Sequence, residues 1–106
     1  MTQTIHVTEA EGEVLAVLWR CGPLTPPKLM REVKVRRDWT DSTIKTLLSR
    51  LIAKKAVRSE RDDGRLQYRA LLERDAYVEG EVRALVERLF EGDAGRLAAL
   101  LASKEA

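Results

Sequence analysis

Residues 38–58 read DWTDSTIKTLLSRLIAKKAVR, and this stretch decides the fold. Ile44, Leu47, Leu48 and Leu51 recur at i, i+3, i+4 and i+7, the spacing of one buried stripe on a helix. Thr40 is placed to cap that helix, and Asp41 in its first turn suits the positive end of the helix dipole. The helix is predicted over residues 41–55. Ser42, Lys45, Thr46, Ser49, Arg50 and Ala53 fall on the opposite face, where Asp41 is the one acid. This face is either an ordinary solvated surface or one built to lie in the major groove of DNA. Lys and Arg bind phosphates or the acceptor edge of guanine; Ser and Thr reach phosphates or bases, and a Thr methyl meets the thymine methyl. Ala53 permits close approach. Solvated faces usually mix both signs of charge, so the scarcity of acid favours the groove.

After Val57 the period changes from helix to strand. Val57, Ser59 and Arg61 lead into Asp62-Asp63-Gly64, a strong hairpin signal. Leu66, Tyr68 and Ala70 then alternate with Arg65, Gln67 and Arg69, as in a half-buried strand. Arg65 at the hairpin tip either reaches a DNA backbone or sits in an ordinary loop, and the two aspartates weigh against tight contact.

Upstream, Thr8-Glu9-Ala10-Glu11 is a capping box that opens a first helix. Ala10, Val14, Val17, Leu18 and Cys21 share a face, which reads Cys21 as a buried thiol. Gly12 is out of place, costing about 1 kcal/mol relative to alanine inside a helix. Gly22-Pro23 ends the helix and Leu24 is placed for a short strand. Thr25 is read as the cap of a second helix, with Pro26 at its first position and Leu29, Met30 and Val33 facing the core. The linker to residue 38 carries Lys34, Arg36 and Arg37, either a phosphate-contacting run or a solvated one. Trp39 is read as a core plug. Three helices, a strand, a tight turn and a strand give a mainly α winged helix-turn-helix with a small β-hairpin, expected over residues 1–72.

Residues 73–106 are read as a helical dimerisation segment. A fourth helix over 74–90 lines up Val78, Val82, Leu85, Val86 and Leu89, and a fifth from Asp93 to Ala102 carries Leu97, Leu100 and Leu101. They follow a domain that is already complete. An apolar stripe outside a core needs a partner, and a second copy is favoured over folding back on its own domain.

Charge divides the same way. Residues 1–72 hold 14 Lys+Arg and 9 Asp+Glu, whereas residues 73–106 hold 5 and 8. A basic front and an acidic tail fit a nucleic-acid-facing body joined to a segment with another task. With 106 residues and 44% hydrophobic content, the chain has material for one modest core. No run approaches the length of a membrane span, and MTQTIHVTEAEG is too polar for a signal peptide, so a cytoplasmic protein is expected, without membrane insertion. A single Cys21 excludes an internal disulfide, and one His6 far from it leaves no metal cluster or nucleophile–base pair. No glycine loop cradles a phosphate. The chain is therefore not read as an enzyme, and no cofactor is expected. The alternative is a winged-helix module for protein–protein contact without sequence-specific DNA binding. Such a module has no need of an acid-poor Ser/Thr/Lys/Arg face.

The residues resemble the penicillinase-repressor family of bacterial transcription factors, the BlaI/MecI/CopY type. The most specific match is D-W-T-x-x-T-I-K-T-L-L-S-R-L at Asp38 to Leu51. A-E-x-E-V-L at Ala10 to Leu15, Leu18-Trp19, G-R-x-x-Y at Gly64 to Tyr68 and L-F-E-G-D at Leu89 to Asp93 support it. The resemblance implies a homodimeric repressor on a palindromic double-stranded operator. It places base and phosphate contacts on Thr43, Lys45, Thr46 and Arg50. Lys28, Arg36, Arg37, Lys54 and Arg65 are the expected phosphate contacts, and Ser42 and Ser49 on the polar face of the third helix are expected to contact DNA at phosphates or bases. In the antibiotic-resistance branch, a membrane receptor protease that senses a β-lactam acts upstream, and the repressor is cleaved in its C-terminal region.

Several positions depart from the family pattern. The tail lacks the cysteine cluster of the copper-responsive relatives, which argues against copper sensing through it. Gly12 stands where Trp is common, so a looser first helix is expected. A common Pro-Lys pair is here Asp41-Ser42, one cation fewer on the DNA face. The glycine that often ends the third helix is Lys55, which needs a strained or different cap. The Asn-Phe bond cut in resistance repressors aligns with Leu100-Leu101, and the chain stops at Ala106 where members commonly add an acidic helix. A weaker dimer is expected, and induction by that same cleavage is not.

Overall fold

The computed structural model describes residues 5–105; the first four residues of the polar N-terminal stretch lie outside that range. The chain forms α1 (Glu9–Cys21), α2 (Pro26–Arg36), α3 (Asp41–Ala53), β1 (Val57–Asp62), β2 (Arg65–Ala70), α4 (Arg74–Phe90) and α5 (Ala94–Glu105). It divides into two compact units, Met1–Arg74 and Asp75–Ala106.

In the first unit, α1 starts at the expected capping box. The Thr8 hydroxyl accepts from the Glu11 amide at 3.2 Å, and Glu11 Oε1 accepts from the Thr8 amide at 3.0 Å. The apolar stripes of three helices close one core in which Leu15, Leu29, Ile44 and Leu51 have no exposure. Truncating such a leucine to alanine typically costs about 2–5 kcal/mol. Val33 joins this core, Met30 only half does, and Val7 is buried just ahead of α1.

β1 and β2 pair antiparallel from Val57↔Ala70 to Asp62↔Arg65. The two residues left in the turn, Asp63 and Gly64, have φ of 54° and 79°. Two central residues with positive φ make the type I′ turn that matches strand twist, and Asp-Gly is a favoured pair for it. Leu24 bridges the other edge of β2. Its amide donates to the Tyr68 carbonyl at 3.2 Å and its carbonyl accepts from the Tyr68 amide at 2.8 Å. Three helices, a bridging residue and a hairpin make a winged helix-turn-helix.

The end of α3 is a Schellman cap with lysine at the left-handed position. Lys55 has φ 63°, its amide donates to the Ile52 carbonyl at 3.0 Å, and the Ala56 amide donates to the Leu51 carbonyl at 2.9 Å. Ala56 and Leu51 are both fully buried, which supplies the apolar contact of the motif. This contact holds Lys55 where glycine is preferred. The Ala56 carbonyl then accepts from the Leu71 and Leu72 amides, tying the start of the wing to its exit.

Three expectations are corrected. Cys21 is exposed: it is the last residue of α1, immediately before Gly22 turns the chain at φ 80°, and the stripe outlasts its neighbours there. Thr25 occupies the cap position of α2 but its side chain makes no capping bond. A cap oxygen serves the second or third helical amide, and Pro27 at the second position has none. Trp39 is half-buried rather than a plug, with the Arg37 guanidinium 5.7 Å from its ring centroid.

In the second unit, α4 and α5 are joined by a tight turn through Glu91 and Gly92, at φ 52° and 83°. Asp93 lies just before α5 as its cap. Asp93 Oδ1 accepts from the Gly95 amide at 2.9 Å and the Arg96 amide at 3.3 Å.

Candidate nucleic-acid interface

The exposed face of α3 is built by its own caps and by the core beneath it. Thr40 Oγ1 accepts from the Thr43 amide at 3.2 Å, and the two threonine hydroxyls share a bond at 3.1 Å. Thr43 is therefore both an exposed surface residue and part of the cap. With Ile44, Leu47, Leu48 and Leu51 buried below, Ser42, Thr43, Lys45, Thr46, Ser49, Arg50 and Ala53 are all exposed. Asp41, Ser42, Lys45, Thr46 and Ser49 border one shallow recess. The Thr46 hydroxyl donates to the Ser42 carbonyl at 3.0 Å, which leaves its methyl and its oxygen lone pairs for a partner.

Among the described residues, the expected phosphate contacts fall into two groups. Lys28, Arg36 and Arg65 are exposed and enter no ion pair, as are Lys45 and Arg50 on α3 itself. Arg65 stands at the wing tip, where Arg61 Nη1 donates to the Gly64 carbonyl at 3.0 Å. Arg58 and Arg69 grip Glu60 from either side, at 2.8 and 2.7 Å. Their hydrogen bonds hold the Glu60 carboxyl below the usual carboxylate range.

Arg37 and Lys54 belong to the other group. Arg37 Nη2 donates to Glu13 Oε1 at 2.6 Å, and this bond raises its already high pKa. Lys54 Nζ donates to Glu11 Oε1 at 2.5 Å. The Lys54 ammonium, expected at a phosphate, is bonded here to a carboxylate inside the protein. Glu11 is 1% exposed, the one buried charged side chain among the described residues. Burial pushes its pKa up, but the hydrogen bond from Lys54, the Thr8 amide and the Lys54 charge outweigh it and leave the carboxyl below its ordinary value. This bond fixes the end of α3 to the start of α1, across 43 residues of sequence. The capping box marked Glu11 as a helix-start residue, but nothing in the spacing pointed to its distant partner.

The second unit carries the residues read as a dimer face. Val78, Val82, Leu89, Leu100 and Leu101 are between 39% and 57% exposed. Leu85 and Leu97 are half-buried. Val86 is buried within the single chain at 7% exposure. An open groove of about 660 Å³ runs along this face, with Val78, Val82 and Val86 in it and Asp75, Glu79 and Glu87 among its polar residues. Among the described residues, no His/Cys/Asp/Glu group is set to hold a metal, and no helix is long and apolar enough to cross a membrane.

A model of the penicillinase repressor family matches residues 7–106. The chain belongs to that family. It is thus one of a family of transcriptional repressors, not of enzymes. Its relatives include an uncharacterised 16.5 kDa protein of Latilactobacillus sakei, 34% identical over 92% of this chain and 68% of the relative. The methicillin resistance regulatory protein MecI of Mammaliicoccus sciuri is 25% identical, over 97% of this chain and 84% of its own length. Among solved structures, the monomeric form of Bacillus licheniformis BlaI in complex with the blaP half-operator superposes with a TM-score of 0.64 at 26% identity, covering 73% of this chain and 94% of that one. The DNA-binding domain of the repressor BlaI gives 0.62, with the same identity and coverage.

Proposed function

We propose that this penicillinase repressor family member is a homodimeric, cytoplasmic repressor that binds a palindromic operator and blocks transcription until an inducing signal releases it. The observation that carries this reading is the α3 face: hydroxyls and unpaired cations, one acid, and an unpaired arginine at the wing tip. The likeness to BlaI, which was solved with a half-operator, supports the same assignment. Helix α3 enters the major groove, where Ser42, Thr43, Lys45, Thr46, Ser49 and Arg50 face the base edges and flanking phosphates. Lys28, Arg36 and Arg65 neutralise backbone phosphates, which supplies affinity but no sequence information. Residues 73–106 join two copies through the exposed stripe of Val78, Val82, Leu89, Leu100 and Leu101, with Leu85 and Leu97 beside it. Two α3 helices then address half-sites on one side of the duplex, about one to two helical turns apart. A β-lactam-linked receptor protease upstream fits the resistance branch of the family, with release by a route other than cleavage at Leu100-Leu101.

The test is a titration of labelled operator and random duplexes at one salt concentration. Thr46→Ala removes the methyl and the hydroxyl oxygen from the reading face while leaving the helix intact. It is expected to weaken operator binding by about 1–3 kcal/mol at the affected base pair, with little change on random DNA. Equal losses on both duplexes would remove Thr46 from base readout.

A further inference from the structure

We infer that Asp41 is a specificity-determining residue that accepts a hydrogen bond from a cytosine amino group in the major groove, and that Lys34 is the positioning residue that lets it do so. The inference rests on the DNA-binding reading of α3 and adds a base preference to it.

Asp41 is the first residue of α3 and its only acid. In a helix-turn-helix, the N-terminal residues of the second helix are those that meet base edges. Asp41 borders the same recess as Ser42, Lys45, Thr46 and Ser49, so it stands at the edge of the reading face. Its side chain is 59% exposed. A bare carboxylate at that place would be driven off by the DNA phosphates. Here Lys34, from the last turn of α2, pairs with Asp41 Oδ1. The preceding helix of this motif is the one that crosses the DNA backbone, so Lys34 offsets the charge on the phosphate side. Oδ2 accepts no hydrogen bond among the described residues and is open to a partner.

An ionised carboxylate only accepts hydrogen bonds. In the major groove, guanine presents two acceptors and thymine an acceptor and a methyl, so both repel it. Adenine offers an amino group beside an acceptor nitrogen, whereas cytosine offers its amino group alone. Cytosine is therefore the base that a lone carboxylate selects, by attraction to one base and by repulsion of the others.

Selection from a random duplex pool, using the full chain and its Asp41→Asn and Asp41→Ala variants, tests this. The wild type is expected to enrich a half-site with cytosine at one position. Asp41→Asn, which can donate as well as accept, is expected to move that single position to adenine, changing the cytosine-to-adenine preference about tenfold or more. Asp41→Ala should flatten the preference there and leave the other positions alone. Identical half-sites from all three proteins, or a uniform loss across all positions, would overturn the role of Asp41 while leaving DNA reading by α3 in place. No enriched half-site from the wild type would overturn the DNA-binding reading and this inference with it.

Discussion

Lys54→Met removes the ammonium that faces Glu11 and keeps a stem of similar length. What remains for the Glu11 carboxylate is the Thr8 amide at 3.0 Å, in a site 1% exposed. A hydrogen bond to a charged group contributes about 1.5–3 kcal/mol, and breaking a fully buried ion pair costs about 3–5 kcal/mol. The Lys54 side chain is 32% exposed, so water already screens part of the pair and the lower range applies. The expected loss at neutral pH is about 2 kcal/mol, roughly 10 °C in Tm for a unit of this size. In the wild type the Glu11 pKa is depressed. Its contribution is present above the unfolded value of about 4.3 and is lost as pH falls through the folded value. In the variant, burial is left opposed only by Thr8, so the carboxyl pKa rises and protonation relieves the strain of the buried charge. The gap between wild type and Lys54→Met should therefore be widest near pH 7 and narrow towards pH 4. Urea denaturation at a series of pH values measures it. A second change, Glu11→Gln, should recover part of the loss at pH 7, because glutamine keeps the Thr8 bond without the charge. A gap below about 0.5 kcal/mol, or one that does not change between pH 7 and pH 4, refutes the reasoning.

Further outcomes follow from the cap, the free cations and the second unit. Lys55→Gly relieves a left-handed lysine at φ 63° and should stabilise the first unit by about 0.5–1 kcal/mol; a lower urea midpoint would contradict the strain argument. Lys28→Gln, Arg36→Gln and Arg65→Gln should each reduce the slope of log K against log salt by about 0.9, while Lys54→Gln, whose ammonium is already bonded, should leave it unchanged. Val82→Asp combined with Leu85→Asp is expected to give a folded monomer by sedimentation and circular dichroism. A wild type that sediments as a monomer at micromolar concentration would count against the apolar stripe as a dimer contact.

The stripe of α3, the capping box, the Asp-Gly turn and the second pair of helices were all legible in the sequence, because each is a local matter. Helical spacing sorts residues onto faces, a cap is settled within four positions, and a two-residue turn within two. For the same reason the hydroxyl and cation face of residues 42–53 could be recognised without coordinates. What the sequence could not sort was which cations were already spent. Lys54 and Arg50 look alike in a row of letters, yet one reaches back to a carboxylate on α1 and the other stands in solvent. Cys21 shared a periodic face but lay past the end of the packed core, and Lys55 kept its place through the burial of Leu51 and Ala56 on either side. Those outcomes depend on which surfaces meet across tens of residues, and only the tertiary structure decides that.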